Sequence, residues 1–173
     1  MPVTFGLHGM PEDAYDITSG ATFLDGYDRI VEVLGPEFTT LWESDHFQFT
    51  DIPTLEWWTR LTYLSARYEH LKVGSLVLGQ GYRNPALLAK MAATLQFLTD
   101  GRLVLGLGAG WHDEEYRSYG YEYPSRKERV DQLEEVLTIL RLMWRAGRPH
   151  STARTIRSPT RTAGRSPRRR FRS

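Results

Sequence analysis

Residues 71–111 read LKVGSLVLGQGYRNPALLAKMAATLQFLTDGRLVLGLGAGW, and the fold is decided here. Leu71–Leu78 is a strand-length run with a nearly continuous apolar end, which predicts a strand covered on both faces. Asn84 can cap a helix with its side-chain oxygen, and Pro85 suits the first helical position, where no N–H is needed. Leu88, Met91, Leu95 and Leu98 follow in steps of three and four, so the helix runs to about Leu98, and Asp100-Gly101 ends it. Arg102–Leu107 is a second strand of the buried type. A strand, a helix and a strand in this order predict a parallel pair.

The same alternation extends outward. Upstream, Val3–Leu7 reads as a strand, while residues 9–20 are turn-rich and carry no assignment. Phe23–Leu34 has helical spacing and stops at Gly35-Pro36. Thr39–Trp42 is β-like. Leu55–Ala66 reads as a helix with Trp58, Leu61, Thr62 and Ser65 along one face. Downstream, Asp113, Glu114 and Glu115 suit a first helical turn, where negative charge meets the positive helix end. Ser125 and Glu128 form a capping-box pattern, and Val130, Leu133, Leu137, Leu140 and Trp144 carry a long helix to Gly147 and Pro149. The predicted order is β-α-β-α-β-α-β-α-α. It fits an open doubly wound sheet or part of a (β/α)8 barrel, and periodicity does not separate them. Both place function at the carboxyl ends of the strands.

Composition narrows the classes. The chain has 173 residues and a formal net charge of +1. That average hides a split, because residues 150–173 hold eight arginines and no acidic residue, which leaves residues 1–149 at −7. No cysteine is present, which excludes disulfides, zinc–thiolate sites, thiol nucleophiles and iron–sulfur clusters. No apolar run approaches the roughly 18 residues of a membrane span, and the N-terminus lacks a secretory pattern. A soluble cytoplasmic protein without a membrane partner is expected.

Three features could carry chemistry. Gly106, Gly108 and Gly110 follow a strand, but Trp111 stands where a dinucleotide fingerprint needs its last glycine. They suit either close backbone approach to a flat or phosphorylated ligand or a tight strand-to-helix turn. Asp45-His46 follows another strand. A histidine can shuttle a proton, and the adjacent carboxylate could raise its pKa; the alternative is a strand-end pair fixed by backbone hydrogen bonds. His8, His70, His112 and His150 have no metal-ligand spacing, and no metal site is expected. Trp57, Trp58 and Trp144 read as core or rim aromatics, whereas Trp111 could line a pocket. The arginine-rich tail could hold phosphates, but the acidic body repels nucleic acid. A disordered extension is the preferred reading.

Taken in order, Trp42–Phe47, Val73–Leu78, Arg83–Thr94, Gly101–Trp111 and Glu115-Tyr116 resemble the luciferase-like superfamily of flavin- and deazaflavin-dependent oxidoreductases, over about residues 20–149. The Arg83-Asn84-Pro85 and Gly108–Trp111 segments are most similar to its coenzyme F420 branch. The resemblance implies a (β/α)8 TIM barrel, here about its first four β/α units. It implies F420, alternatively FMN, as cofactor and hydride transfer to or from a small organic substrate. His46 would sit beside the ring and help with proton transfer, with Asp45 next to it. Leu76-Val77 would fall at a bulge or non-proline cis peptide backing the ring, and Asn84, Ala109, Gly110 and Trp111 would line the cofactor cleft. Some sugar-phosphate dehydrogenases of the family carry a catalytic Glu where Trp111 stands, which argues against that substrate. An FMN-dependent monooxygenase, a non-catalytic fragment and a nucleic-acid binder are the other readings. Full-length relatives are expected to be homodimers.

A (β/α)8 barrel takes about 250 residues. Residues 1–149 therefore read as its N-terminal half. The abrupt change of composition makes residues 150–173 look like the product of a frameshift, with the later strands encoded downstream in another frame.

Overall fold

The computed structural model describes residues 3–9, 19–48 and 54–145. Strands β1 (Phe5–His8), β2 (Phe38–Glu43), β3 (Lys72–Gly79) and β4 (Leu103–Gly108) alternate with helices α1 (Gly20–Val33), α2 (Trp57–Arg67) and α3 (Pro85–Leu98). Helices α4 (Asp113–Ser118) and α5 (Arg126–Arg145) follow β4. All pairings are parallel, and the strands stand in sequence order within one sheet. A doubly wound sheet reverses its order at a switch point, and a barrel does not. The chain therefore spans four β/α units of the (β/α)8 TIM-barrel family.

Local chemistry starts α1, α2, α3 and α5. Ser19 and Thr22 exchange hydrogen bonds at the head of α1, both 3.2 Å long. The Glu56 carboxylate accepts the N–H groups of Trp58 and Thr59 at 2.9 and 2.7 Å. Asn84 Oδ1 accepts those of Ala86 and Leu87 at 2.9 and 3.2 Å, with Pro85 in the first helical position. Ser125 and Glu128 close the capping box of α5 at 3.1 and 3.3 Å. These contacts occupy backbone donors that have no intrahelical acceptor.

The core lies between the sheet and the helices. Leu41, Val73 and Leu78 meet Leu61 and Leu64 of α2, Leu88 and Leu95 of α3, and Leu140 of α5. The buried face of α2 differs from the expected one, because Trp57, Arg60, Leu61, Leu64 and Ser65 are buried while Thr62 is exposed. Arg60 can go inside because Glu43, at the end of β2, meets its Nη2 at 2.8 Å. Tyr27 of α1 donates its hydroxyl to the same carboxylate. One buried charge, neutralised where it sits, ties β2 to two helices.

The strands are also less covered than their sequences predict. Leu76 and Val77 of β3 are 51 % and 45 % exposed, and Val104 of β4 is 36 % exposed. Among the described residues, β1 and β4 each lack a second neighbouring strand, so the inner face of the sheet is only partly filled. Trp42 supplies some of that filling. A Cβ at Gly74 would lie 2.6 Å from its ring and 2.7 Å from the Val104 carbonyl, so only glycine allows this approach. An apolar cavity of about 910 Å³ runs between α3, β4 and α5. Residues 150–173 and the proposed junction lie outside the described residues. None of the described helices is long and apolar enough to cross a membrane.

Candidate active site

The carboxyl ends of β2, β3 and β4 open into a cavity of about 450 Å³. Its lining includes His46, Leu76, Val77, Gly108, Gly110, Trp111 and His112. The β3–β4 register slips between Ser75 and Leu78, where Leu76 and Val77 together oppose Gly106. The Leu76–Val77 peptide is cis. The bulge turns both side chains toward the opening, which accounts for apolar exposure within a buried strand.

Gly110 turns the chain at φ +78°, and a Cβ there would collide with the Tyr116 hydroxyl. Its glycine is therefore required by the turn itself, and Gly108 and Gly110 also border the cavity. Trp111 is 62 % exposed at the rim, its ring 5.8 Å from that of His46 and edge-on to it.

The contacts of the Asp45 carboxylate differ from the sequence reading, which placed it at the service of His46. Successive residues of an extended segment point opposite ways. The buried Asp45 carboxylate instead takes Arg83 in a two-pronged pair at 2.7 and 3.0 Å and the Gly79 N–H at 3.0 Å. Burial pushes this carboxyl up and the Arg83 guanidinium opposes that shift. Arg83 also reaches Glu56 at 2.7 Å and lies 5.8 Å from the Trp57 ring. Asp45 thus anchors the loop that carries His46 to the starts of α2 and α3.

His46 meets Glu115, 69 positions away, with Glu115 Oε2 3.1 Å from His46 Nδ1. Glu115 is 0 % exposed. Its Oε1 accepts the backbone N–H groups of Phe47 and of Gln48, the latter at 3.1 Å. Tyr82 donates its hydroxyl to Oε2. Burial alone would push this carboxyl up, but the bonds from His46, Tyr82, Phe47 and Gln48 outweigh it and hold the pKa at about 2. The Tyr82 hydroxyl moves the other way, raised by burial and by the neighbouring carboxylate. A carboxylate only accepts, so it selects the Nδ1–H form of His46, and proton exchange with a bound molecule falls to Nε2. Phe47, Tyr82 and Tyr119 pack around this hub, with centroids 4.6 and 4.9 Å from Phe47.

The structure gathers His46, Leu76, Val77, Gly110 and Trp111 around one cavity. Asn84 is engaged as the cap of α3, and neither it nor Ala109 borders that cavity. Two residues were missed. Glu115 looked like helix-start charge, and His112 sits 66 positions from His46 in sequence, yet its Nδ1 is 3.8 Å from Glu115 Oε2. Only the glutamate beside Tyr116, within a segment shared with the family, carried any signal.

The comparisons with known proteins agree with this architecture. The chain is 32 % identical over 138 residues to an F420-dependent glucose-6-phosphate dehydrogenase of Amycolatopsis mediterranei (strain U-32), covering 69 % of this chain and 41 % of that protein. It is 34 % identical over 115 residues to a phthiodiolone/phenolphthiodiolone dimycocerosates ketoreductase of Mycobacterium sp. (strain JLS), covering 62 % and 29 %. Among solved structures, a monooxygenase from Streptomyces bottropensis superimposes with a TM-score of 0.67 at 20 % identity, over 82 % of this chain and 43 % of that one. The chain thus spans less than half the length of these relatives. A family model described as luciferase-like monooxygenase matches residues 26–171, and with the parallel four-stranded sheet and its bulged third strand in place, the chain belongs to that family.

Proposed function

We propose that this chain provides the ring-binding part of an F420-dependent oxidoreductase site that transfers hydride to or from a small organic substrate. The observation that carries this reading is the exposed Leu76-Val77 surface, facing a cavity of about 450 Å³ beside a histidine on a buried carboxylate. That volume lies within the ordinary range for small-molecule sites, about 300–1,000 Å³. An apolar bulge, glycines that leave room and an exposed tryptophan at the rim suit a planar ring. The relatives named for F420 favour the deazaflavin over FMN.

Bound there, F420 would supply the hydride-carrying ring, and the protein supplies the rest. Leu76 and Val77 back the ring and exclude water from one face, and Trp111 covers the rim. His46 moves the proton at the substrate oxygen or nitrogen as its hydride is gained or lost, using Nε2, while Glu115 keeps the imidazole oriented. A sugar phosphate is not the substrate proposed, because among the described residues no Lys or Arg lines the cavity, and by the resemblance Trp111 stands where some sugar-phosphate dehydrogenases carry a glutamate.

Titration of the purified chain with F420 and with FMN, followed by fluorescence, tests the reading. Saturable F420 binding that weakens in Trp111→Ala is expected. Tighter binding of FMN would move the reading to an FMN-dependent monooxygenase. Binding of neither would favour a non-catalytic fragment.

A further inference from the structure

We propose that His46, His112 and Glu115 form a site for one borderline transition-metal dication of the zinc class. The metal-ligating atoms of these three residues lie within 4.8 Å of one another. His46 Nδ1 and His112 Nδ1 stand 3.1 and 3.8 Å from the same oxygen, Glu115 Oε2. Ligand atoms about 2.0–2.1 Å from a tetrahedral zinc ion are about 3.4 Å apart. The two observed separations bracket that spacing, so a shift of the His46 proton from Nδ1 to Nε2 and small rotations of the imidazoles bring all three groups onto one ion.

Charge and orientation support the same site. Glu115 is fully buried, and among the described residues its ion-pair partners are these two imidazoles alone. Arg83 is engaged with Asp45 and Glu56. With both imidazoles neutral the cluster holds a buried negative charge, which a dication would compensate. The N–H groups of Phe47 and Gln48 fix Oε1 and so aim Oε2 at the histidines, the role outer-shell donors play at metal centres. Two imidazoles and one carboxylate select zinc, cobalt, nickel or copper over magnesium and calcium, which prefer oxygen. Both histidines border the cavity, so a water completes the coordination. An ion there engages the imidazole that hydride chemistry would use, and the site therefore predicts metal inhibition. Its binding needs neither cofactor, so failure of F420 to bind leaves this test intact.

The test is a titration of the chelator-treated 173-residue chain with cobalt(II) chloride, read by visible absorption. One equivalent is expected to give the intense bands of a four-coordinate ion and to be displaced by zinc chloride. His112→Gln is expected to weaken binding by about tenfold or more. That variant decides the matter, because His112 borders the cavity and is not built into the hub as Glu115 is. His150→Gln is expected to leave binding unchanged. No saturable binding, weak six-coordinate absorption only, or affinity untouched by His112→Gln overturns the proposal.

Discussion

Glu115 shows what one residue can organise. It is a carboxylate with no exposed surface that joins α4 to the loop after β2 through His46, Phe47 and Gln48, and to the turn before α3 through Tyr82. Its folded pKa of about 2 lies below the ordinary 4.5. Between those values the unfolded chain binds more protons, so stability rises with pH there. The contribution is complete above about pH 4.5 and is lost as pH falls toward 2. Glu115→Gln is expected to lower unfolding free energy at pH 7 by about 2–3 kcal/mol and to flatten the acid limb, both measurable by urea titration at several pH values. Trp111→Ala should behave oppositely. An exposed rim residue costs no more than about 0.5 kcal/mol in stability, so an unchanged urea midpoint with weakened F420 binding is the expected result.

At the scale of elements, strand ends and helix starts share residues. Glu56 caps α2 and also receives Arg83, which in turn holds Asp45. Asn84 caps α3 one position later. Asn84→Ala is expected to cost about 1 kcal/mol, seen as a lower thermal midpoint, without the loss of F420 affinity that a lining residue would show. The cap was legible because Asn followed by Pro is a local signal. The buried face of α2 was not. Arg60 breaks the apolar spacing, and only Glu43 and Tyr27, supplied by β2 and α1, make its burial affordable.

For the whole molecule, the sheet has two open edges among the described residues, β1 and β4. Unpaired strand edges template pairing with other chains. The apolar cavity beside β4 and the 36 % exposed Val104 add apolar surface at that edge. Concentration-dependent association is therefore expected in sedimentation velocity. Val104→Lys should reduce it, since a charge on an edge strand blocks edge-to-edge pairing. A single monomeric species at all concentrations would contradict this expectation.

The sequence alone determined the element order, the Asn84 and Ser125–Glu128 caps and, through shared motifs, the family. These are properties of residues near one another in the chain, where periodicity and capping act. Tertiary structure decided who faces whom. It gave Asp45 to Arg83 and His46 to Glu115, brought His112 beside them, and turned Leu76 and Val77 out of a strand that reads as covered. Those outcomes depend on side-chain direction and on contacts across 38 to 69 positions, which no local pattern encodes.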